Sequence, residues 1–283
     1  GGLFQTAGLA LLGIDLELGV VVAPRLGAFH VSGVALHGDD LTEDLEDVFT
    51  VSNITGHPEA RLFEAWYEQP LGPLSIRAGL LAVDQEYLLA ENGHVLVNAT
   101  FGISSQVPAV AAGPYYPIAA PGIRARVEHD VVTARVGVFD GDPTSTRGVP
   151  TKLGDELLLF AEVELAGLLE LGIWRHTRDG AGYYASVDAR LGRPLGAFAR
   201  VGVAPDLAVD LYADAGVRLG PMFERDFASA GIAFARTPDG HEVVAELTYQ
   251  RRQGWLIFQP DLQILMQRTR TSVILGARVI VVL

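Results

Sequence analysis

Val131-Val132-Thr133-Ala134-Arg135-Val136-Gly137-Val138-Phe139 is the stretch that decides the fold. On an extended backbone successive side chains point to opposite faces. Val132, Ala134, Val136 and Val138 then form one apolar row, while Thr133, Arg135 and Gly137 form the other. The first row suits lipid and the second suits water. The same split recurs at Ile14 to Val22, Leu74 to Ala82, Glu156 to Leu165, Tyr183 to Leu191, Gly196 to Val203, Glu242 to Gln250 and Ser272 to Val282. This period of two favours strands over helices. Turn formers separate the segments: Ala23-Pro24, Gln69-Pro70, His129-Asp130, Asp179-Gly180, Ala204-Pro205-Asp206 and Pro238-Asp239-Gly240. Adding the less regular segments gives roughly sixteen strands of about ten residues, the pattern of an outer-membrane barrel.

Composition agrees with a bilayer as solvent. Of 283 residues 49% are apolar, and mean hydropathy is +0.27, high for a water-soluble domain. Yet Asp, Glu, Arg or Lys interrupts nearly every apolar stretch, and only closed barrels span lipid in that way. The expected fold is therefore all-β, a transmembrane antiparallel β-barrel, as one domain over residues 1–283. The chain has no cysteine, which excludes a disulfide framework, a thiolate zinc site and a cysteine nucleophile. A formal charge of −13 argues against nucleic acid as a partner, since phosphate binding needs clustered Lys and Arg. Lysine is almost absent and the cations are mainly arginines. Gly1 to Gly8 hold neither a basic stretch nor a long apolar core, so the chain reads as a mature or trimmed form.

Two stretches are too long for turns. Gly38 to Pro58 carries Asp39, Asp40, Glu43, Asp44, Glu46 and Asp47 and reads as an exposed acidic loop. Val83 to Gly122 has its acids, Asp84, Glu86 and Glu91, near its start, and its uncharged remainder resembles a membrane helix in hydropathy alone. Pro108, Pro114, Pro117 and Pro121 argue against a helix. A partly apolar, proline-rich insertion in a barrel finds shelter in the lumen, where this segment would form the constriction.

Within Arg61 to Gln69, period two places Glu64, Trp66 and Glu68 on one face with Phe63, Ala65 and Tyr67 on the other. A carboxylate–indole–carboxylate row facing lipid is costly, so it faces the lumen. The next strand offers Ser75, Arg77 and Gly79, bringing Arg77 within reach of one of those glutamates. Arg124, Arg126, Arg135, Arg190, Arg200 and Arg278 are further inward cations, and Glu162, Glu164 and Glu246 inward acids. Glu86 and Glu91 join the lumen from the inserted segment. Such a surface is rich in donors and acceptors without one sign of charge, which suits neutral polyhydroxylated solutes. Trp66, Trp174 and Tyr184 fall inward, where a ring can stack on a sugar; anchoring in the interfacial belt is the alternative reading. Trp255 and Tyr249 read as residues of the interfacial belt.

Catalysis finds little support. The seven histidines are scattered, and His30 and His37 point oppositely on one strand. No ligand spacing suggests a metal, and no cofactor is expected. Ser186, Ser104 and Ser105 lack a G-x-S-x-G context. A lipid-modifying barrel would need activity that disappears on replacing His176 or Ser186. A soluble β-sandwich is opposed by the apolar rows Val132 to Val138 and Val273 to Val281.

Several runs carry a family resemblance. They include Phe29-His30-Val31-Ser32-Gly33, Val51-Ser52-Asn53-Ile54, Arg61 to Gln69, Ile76-Arg77-Ala78-Gly79, Glu86-Tyr87 and Asn98-Ala99-Thr100-Phe101-Gly102. Downstream are Phe139-Asp140-Gly141-Asp142-Pro143, Leu171-Gly172-Ile173-Trp174, Gly182-Tyr183-Tyr184, Phe198-Ala199-Arg200-Val201-Gly202, Glu246-Leu247-Thr248-Tyr249 and Gln259-Pro260-Asp261-Leu262-Gln263. In this order they resemble the carbohydrate-selective porin (OprB) family over nearly the whole chain. The resemblance implies a sixteen-stranded barrel in the outer membrane of a Gram-negative bacterium, embedded in lipid and lipopolysaccharide, working singly or as a homotrimer. It implies passive diffusion of glucose and other sugars past a constriction of arginines, acids and aromatics. A general porin without a sugar-binding constriction is the alternative.

Overall fold

The computed structural model describes residues 4–21, 26–39, 45, 48–54, 59–143, 152–192, 194–220 and 226–282. Among them fifteen strands, against the sixteen expected, form one sheet in strict chain order. They are β1 (Ala7–Glu17), β2 (Ala28–Gly38), β3 (Glu59–Leu71), β4 (Leu74–Leu81), β5 (Ala120–His129), β6 (Val132–Asp140), β7 (Leu157–Leu165), β8 (Leu169–His176), β9 (Gly180–Arg190), β10 (Leu195–Val203), β11 (Leu211–Leu219), β12 (Phe227–Thr237), β13 (Gly240–Gln253), β14 (Leu256–Met266) and β15 (Thr271–Val281). Consecutive strands pair antiparallel, with Ile14 opposite Val31 at one end of the series and Gln259 opposite Arg278 at the other.

From β7 to β15 the alternation read from the sequence is largely the alternation of exposure, whereas β1 is exposed almost throughout and the expected stretch Ile14 to Val22 leaves the strand at Glu17 for a helical turn, Leu18–Val21. In β15 Val273, Leu275, Val279 and Val281 are exposed, Leu275 by 81%, while Ile274, Gly276 and Arg278 between them are half-buried. Rows like this on strand after strand form the apolar outer surface that lipid requires. No helix among the described residues is long and apolar enough to cross a membrane.

Three local departures have physical causes. β3 continues through Gln69-Pro70 to Leu71, and the turn falls on Gly72-Pro73, because Gly72 supplies the left-handed φ of +70° that the hairpin needs. Between β2 and β3 the register slips: Val31 faces Ala65 but Gly33 faces Leu62, so Phe63 and Glu64 share Ser32 as their opposite residue. This bulge breaks period two. Phe63, expected on the outer face, is instead 5% exposed and packs with Val34, Leu36, Ala82 and Ala119.

The third departure concerns Gly38 to Pro58. Asp40, Glu43, Asp44, Glu46 and Asp47 lie outside the described residues, but residues 48–54 are not an exposed loop. Phe49 and Val51 are buried, and the Asn53 N–H donates to the Val97 carbonyl at 2.9 Å. Removing such side chains from water is worth about 1.5–3 kcal/mol each, enough to draw this stretch inward despite its charged neighbours.

Cα proximity divides the chain into two compact units, Gly1–Asp44 with Ile54–Tyr87 and Val110–Tyr183, and Leu45–Asn53 with Leu88–Ala109 and Tyr184–Leu283. The expected constriction segment Val83 to Gly122 is shared between them and ends earlier than expected, since β5 already begins at Ala120. It contains only short helical turns, Val83–Gln85, Ala99–Phe101 and Gln106–Val110. In the first unit Tyr87 stacks on Phe160 (4.8 Å between centroids) and meets Phe139 edge-on at 6.0 Å. In the second, Phe101 meets Phe198 of β10 at 6.2 Å. Each such pair adds about 0.5–1.5 kcal/mol beyond burial. Each part of the segment is thus packed against strands of its own unit.

Candidate functional site

The site of the first unit starts from a hairpin register. The tight turn after β3 fixes Glu68 opposite Arg77, and the next pairing sets Arg77 opposite Arg124. Two guanidinium groups side by side on one face repel unless carboxylates intervene, and here two do. Glu68 accepts from Arg77 Nε and Nη2 at 3.0 and 2.6 Å and, through its other oxygen, from Arg124 Nη1 at 3.0 Å. Glu86, from the inserted segment, accepts from Arg77 Nη1 at 2.5 Å and from Arg124 Nε at 2.9 Å. The result is a closed ring of two cations and two anions joined by charge-assisted bonds. Its members are not equally accessible. The side chains of Arg124 and Glu86 are 2% and 6% exposed, those of Arg77 and Glu68 19% and 20%. Arg77 and Glu68 form the accessible edge, and Arg124 and Glu86 brace it from behind.

Trp66 lies beside this edge with both flanks taken. His30 of β2 stacks on it at 4.9 Å and 17°, and the Arg77 guanidinium sits 3.7 Å from its ring centroid. Asp15 holds the His30 ring at 2.7 Å. The indole therefore presents an edge rather than a free face. Its position depends on Gly79, which lies opposite it at φ +146°; a Cβ there would come within 2.2 Å of the Ala65 carbonyl oxygen.

Glu64 does not share in the ring. Its carboxylate accepts the Ala82 N–H at 3.1 Å, where the inserted segment leaves β4. Asp84 closes the other side of that exit: its two oxygens accept the Tyr116 N–H, each at 3.2 Å, tying the segment's first turn to its return limb. Burial pushes the Asp84 carboxyl up from 3.8 to about 7. The folded state therefore holds this proton where the unfolded chain has lost it, and stability falls as pH rises from about 4 to about 7. Asp84→Asn, which keeps an acceptor for Tyr116, is expected to flatten that slope in urea unfolding followed across pH. A wild-type slope in the variant would contradict the assignment.

Further along the same face Arg126 faces Arg135 and pairs with Glu128. Arg135 donates to Glu162 and Glu164, both at 2.5 Å, with Glu170 at 3.9 Å. Trp174 points inward opposite Phe160 but is 2% exposed, its ring lying over the Gly182 backbone. Glu91 belongs to the second unit, where it meets the exposed Arg190 at 2.7 Å. There too Glu246 accepts the Val97 and Asn98 N–H groups at 2.7 and 2.8 Å, and Arg278 donates to Asn53 at 2.6 Å. Of these two expected lumen charges, Glu246 holds irregular backbone and Arg278 holds the Asn53 side chain. Trp255 and Tyr249 are exposed on the outer surface. The sequence pattern does not single out His30, Asp84 or Tyr87 for the roles they have here. Inward parity is a signal for His30, but nothing in a loop without period points to the other two.

The profile of the carbohydrate-selective porin, OprB family, matches residues 4–167, more than half of the chain. No curated protein sequence matches it. Among solved structures, Pseudomonas putida OprB in its high-pH form superposes with a TM-score of 0.85 at 17% identity, covering 98% of this chain and 88% of that one. A triple mutant of the Rhodopseudomonas blastica porin superposes at 0.55 and 8% identity, covering 96% and 89%. At these identities the likeness is one of fold alone. The sheet order, the apolar outer rows and the charged inner ring thus agree with the profile match: the chain belongs to the carbohydrate-selective porin (OprB) family and is an outer-membrane β-barrel protein.

Proposed function

We propose that the protein is a passive channel for neutral sugars, glucose among them, across the outer membrane of a Gram-negative bacterium. In this reading the inner ring Glu68–Arg77–Arg124–Glu86 stands at the constriction, with Trp66, Glu64 and the segment Val83 to Gly122 around it, and Arg126, Arg135, Trp174 and Glu91 elsewhere along the wall. The observation that carries it is the ring's accessible edge. Arg77 offers donors and Glu68 acceptors within one hydrogen-bonded pair, while two cations against two anions leave no excess of either sign. A hydroxyl-bearing solute exchanges its water for these groups without meeting an uncompensated charge, whereas an ion gains nothing from a neutral ring. Because the indole faces of Trp66 are occupied by His30 and Arg77, sugars meet its edge, and hydrogen bonding rather than stacking supplies recognition. Diffusion requires no cofactor and no energy coupling.

Swelling of liposomes containing the purified protein tests this reading. Glucose and maltose are expected to enter faster than gluconate, an anion close in size to glucose. Entry governed by size alone, without preference for the neutral solute, would favour a general porin.

A further inference from the structure

Residues 88–109 have almost no ladder of their own, so their backbone groups need partners from the strands. One side chain supplies an unusual share. Arg200 of β10 is 5% exposed. Its Nη1 donates to the carbonyls of Leu88 at 2.8 Å and Gly102 at 2.9 Å, and its Nη2 to those of Thr100 at 2.8 Å and Phe101 at 3.0 Å. Nε and Nη2 also reach Asp214, its register partner on β11, at 3.1 and 2.5 Å. The five N–H groups of a guanidinium are thereby engaged. The Tyr212 hydroxyl extends the cluster, 2.8 Å from Asp214 Oδ2 and 2.8 Å from Thr100 Oγ1.

The chemistry is that of a clamp. Leu88 begins the stretch and Thr100 to Gly102 end its excursion, so a single planar fork gathers both limbs and Asp214 neutralises it. Arg200 has no donor left to offer a solute. We propose that Arg200 is a positioning residue that sets the aperture of the channel by locking residues 88–102 onto β10 and β11. The proposal rests on the reading of the protein as a channel narrowed by this segment. Lysine, with one nitrogen, cannot reach four separated carbonyls and a carboxylate together.

The test combines planar-bilayer conductance with amide hydrogen exchange on the full chain, comparing wild type, Arg200→Ala and Arg200→Lys. Arg236→Ala serves as control, since Arg236 makes an exposed pair with Asp210. In Arg200→Ala, conductance is expected to rise roughly twofold or more as the segment leaves the wall. Exchange at residues 88–102 is expected to quicken by roughly tenfold or more, with strand amides unchanged. The control should match wild type in both. Wild-type conductance and exchange in a folded Arg200→Ala would overturn the proposal. Should Arg200→Ala fail to fold, Arg200→Lys decides: larger conductance with faster exchange supports the clamp, and wild-type behaviour removes it. Exchange reads the clamp even without current. If wild type forms no channels the channel reading fails, while faster exchange at residues 88–102 in the variants still upholds the clamp and unchanged exchange overturns it.

Discussion

Arg124→Met is expected to destabilise the protein by about 3–5 kcal/mol, the usual cost of removing one partner from a buried ion pair. The side chain is 2% exposed and separates Glu68 from Glu86, taking one oxygen from each. Without it, two carboxylates remain near each other with Arg77 as their common cation, and Glu86, 6% exposed, keeps a charge that water cannot reach. Methionine preserves much of the volume, so the loss reports electrostatics rather than a cavity. Adding Glu86→Gln to Arg124→Met should recover part of the stability, because it removes the charge the first substitution stranded. Urea unfolding in lipid vesicles measures both. A midpoint unchanged in the single variant, or losses that simply add in the double, would show that the ring is not coupled as its geometry implies.

Gly79→Ala is expected to be the most damaging of the glycine substitutions in the β3–β4 hairpin. Its φ of +146° is one that residues with a Cβ rarely adopt, at a cost of about 1–3 kcal/mol. The new Cβ would also lie 2.2 Å from the Ala65 oxygen and 2.7 Å from Trp66 Cα. Both are backbone atoms that can yield only if β3 and β4 separate. The separation would carry Trp66 and Glu68 away from Arg77. Gly72→Ala makes the comparison: φ is +70° and nothing lies within 4 Å of its Cβ position, so it should cost only about 1–2 kcal/mol. Refolding yield into vesicles should be strongly reduced for Gly79→Ala and nearly normal for Gly72→Ala. Equal yields would mean that β3 and β4 tolerate the displacement.

Much of this architecture is legible in the sequence because strands have a fixed period and short turns fix register. Val131 to Phe139 and Ser272 to Val282 can be assigned their faces residue by residue. Arg77 can be set against a nearby glutamate because only a short turn joins the two strands. That Glu68 is the partner while Glu64 caps the inserted segment depends on hydrogen bonds the pattern does not encode. Phe63 falls on the wrong face of the pattern, since a bulge shifts parity by one without any required residue type. Phe49 and Val51 are hidden among acids, where the charges dominate the reading and two apolar side chains do not register. Arg200 and Glu246 point inward as parity requires, yet they meet backbone rather than open space. Period gives a direction, and what occupies that direction is decided by a loop that has no period.

A sugar-binding constriction at the Arg77–Glu68 edge makes a direct electrical prediction, read from single-channel current in a planar bilayer during glucose titration. The wild-type protein should form stable channels that glucose blocks reversibly, and Arg77→Ala should conduct without that block. Channels indifferent to glucose, or a block that survives intact in Arg77→Ala, would contradict it.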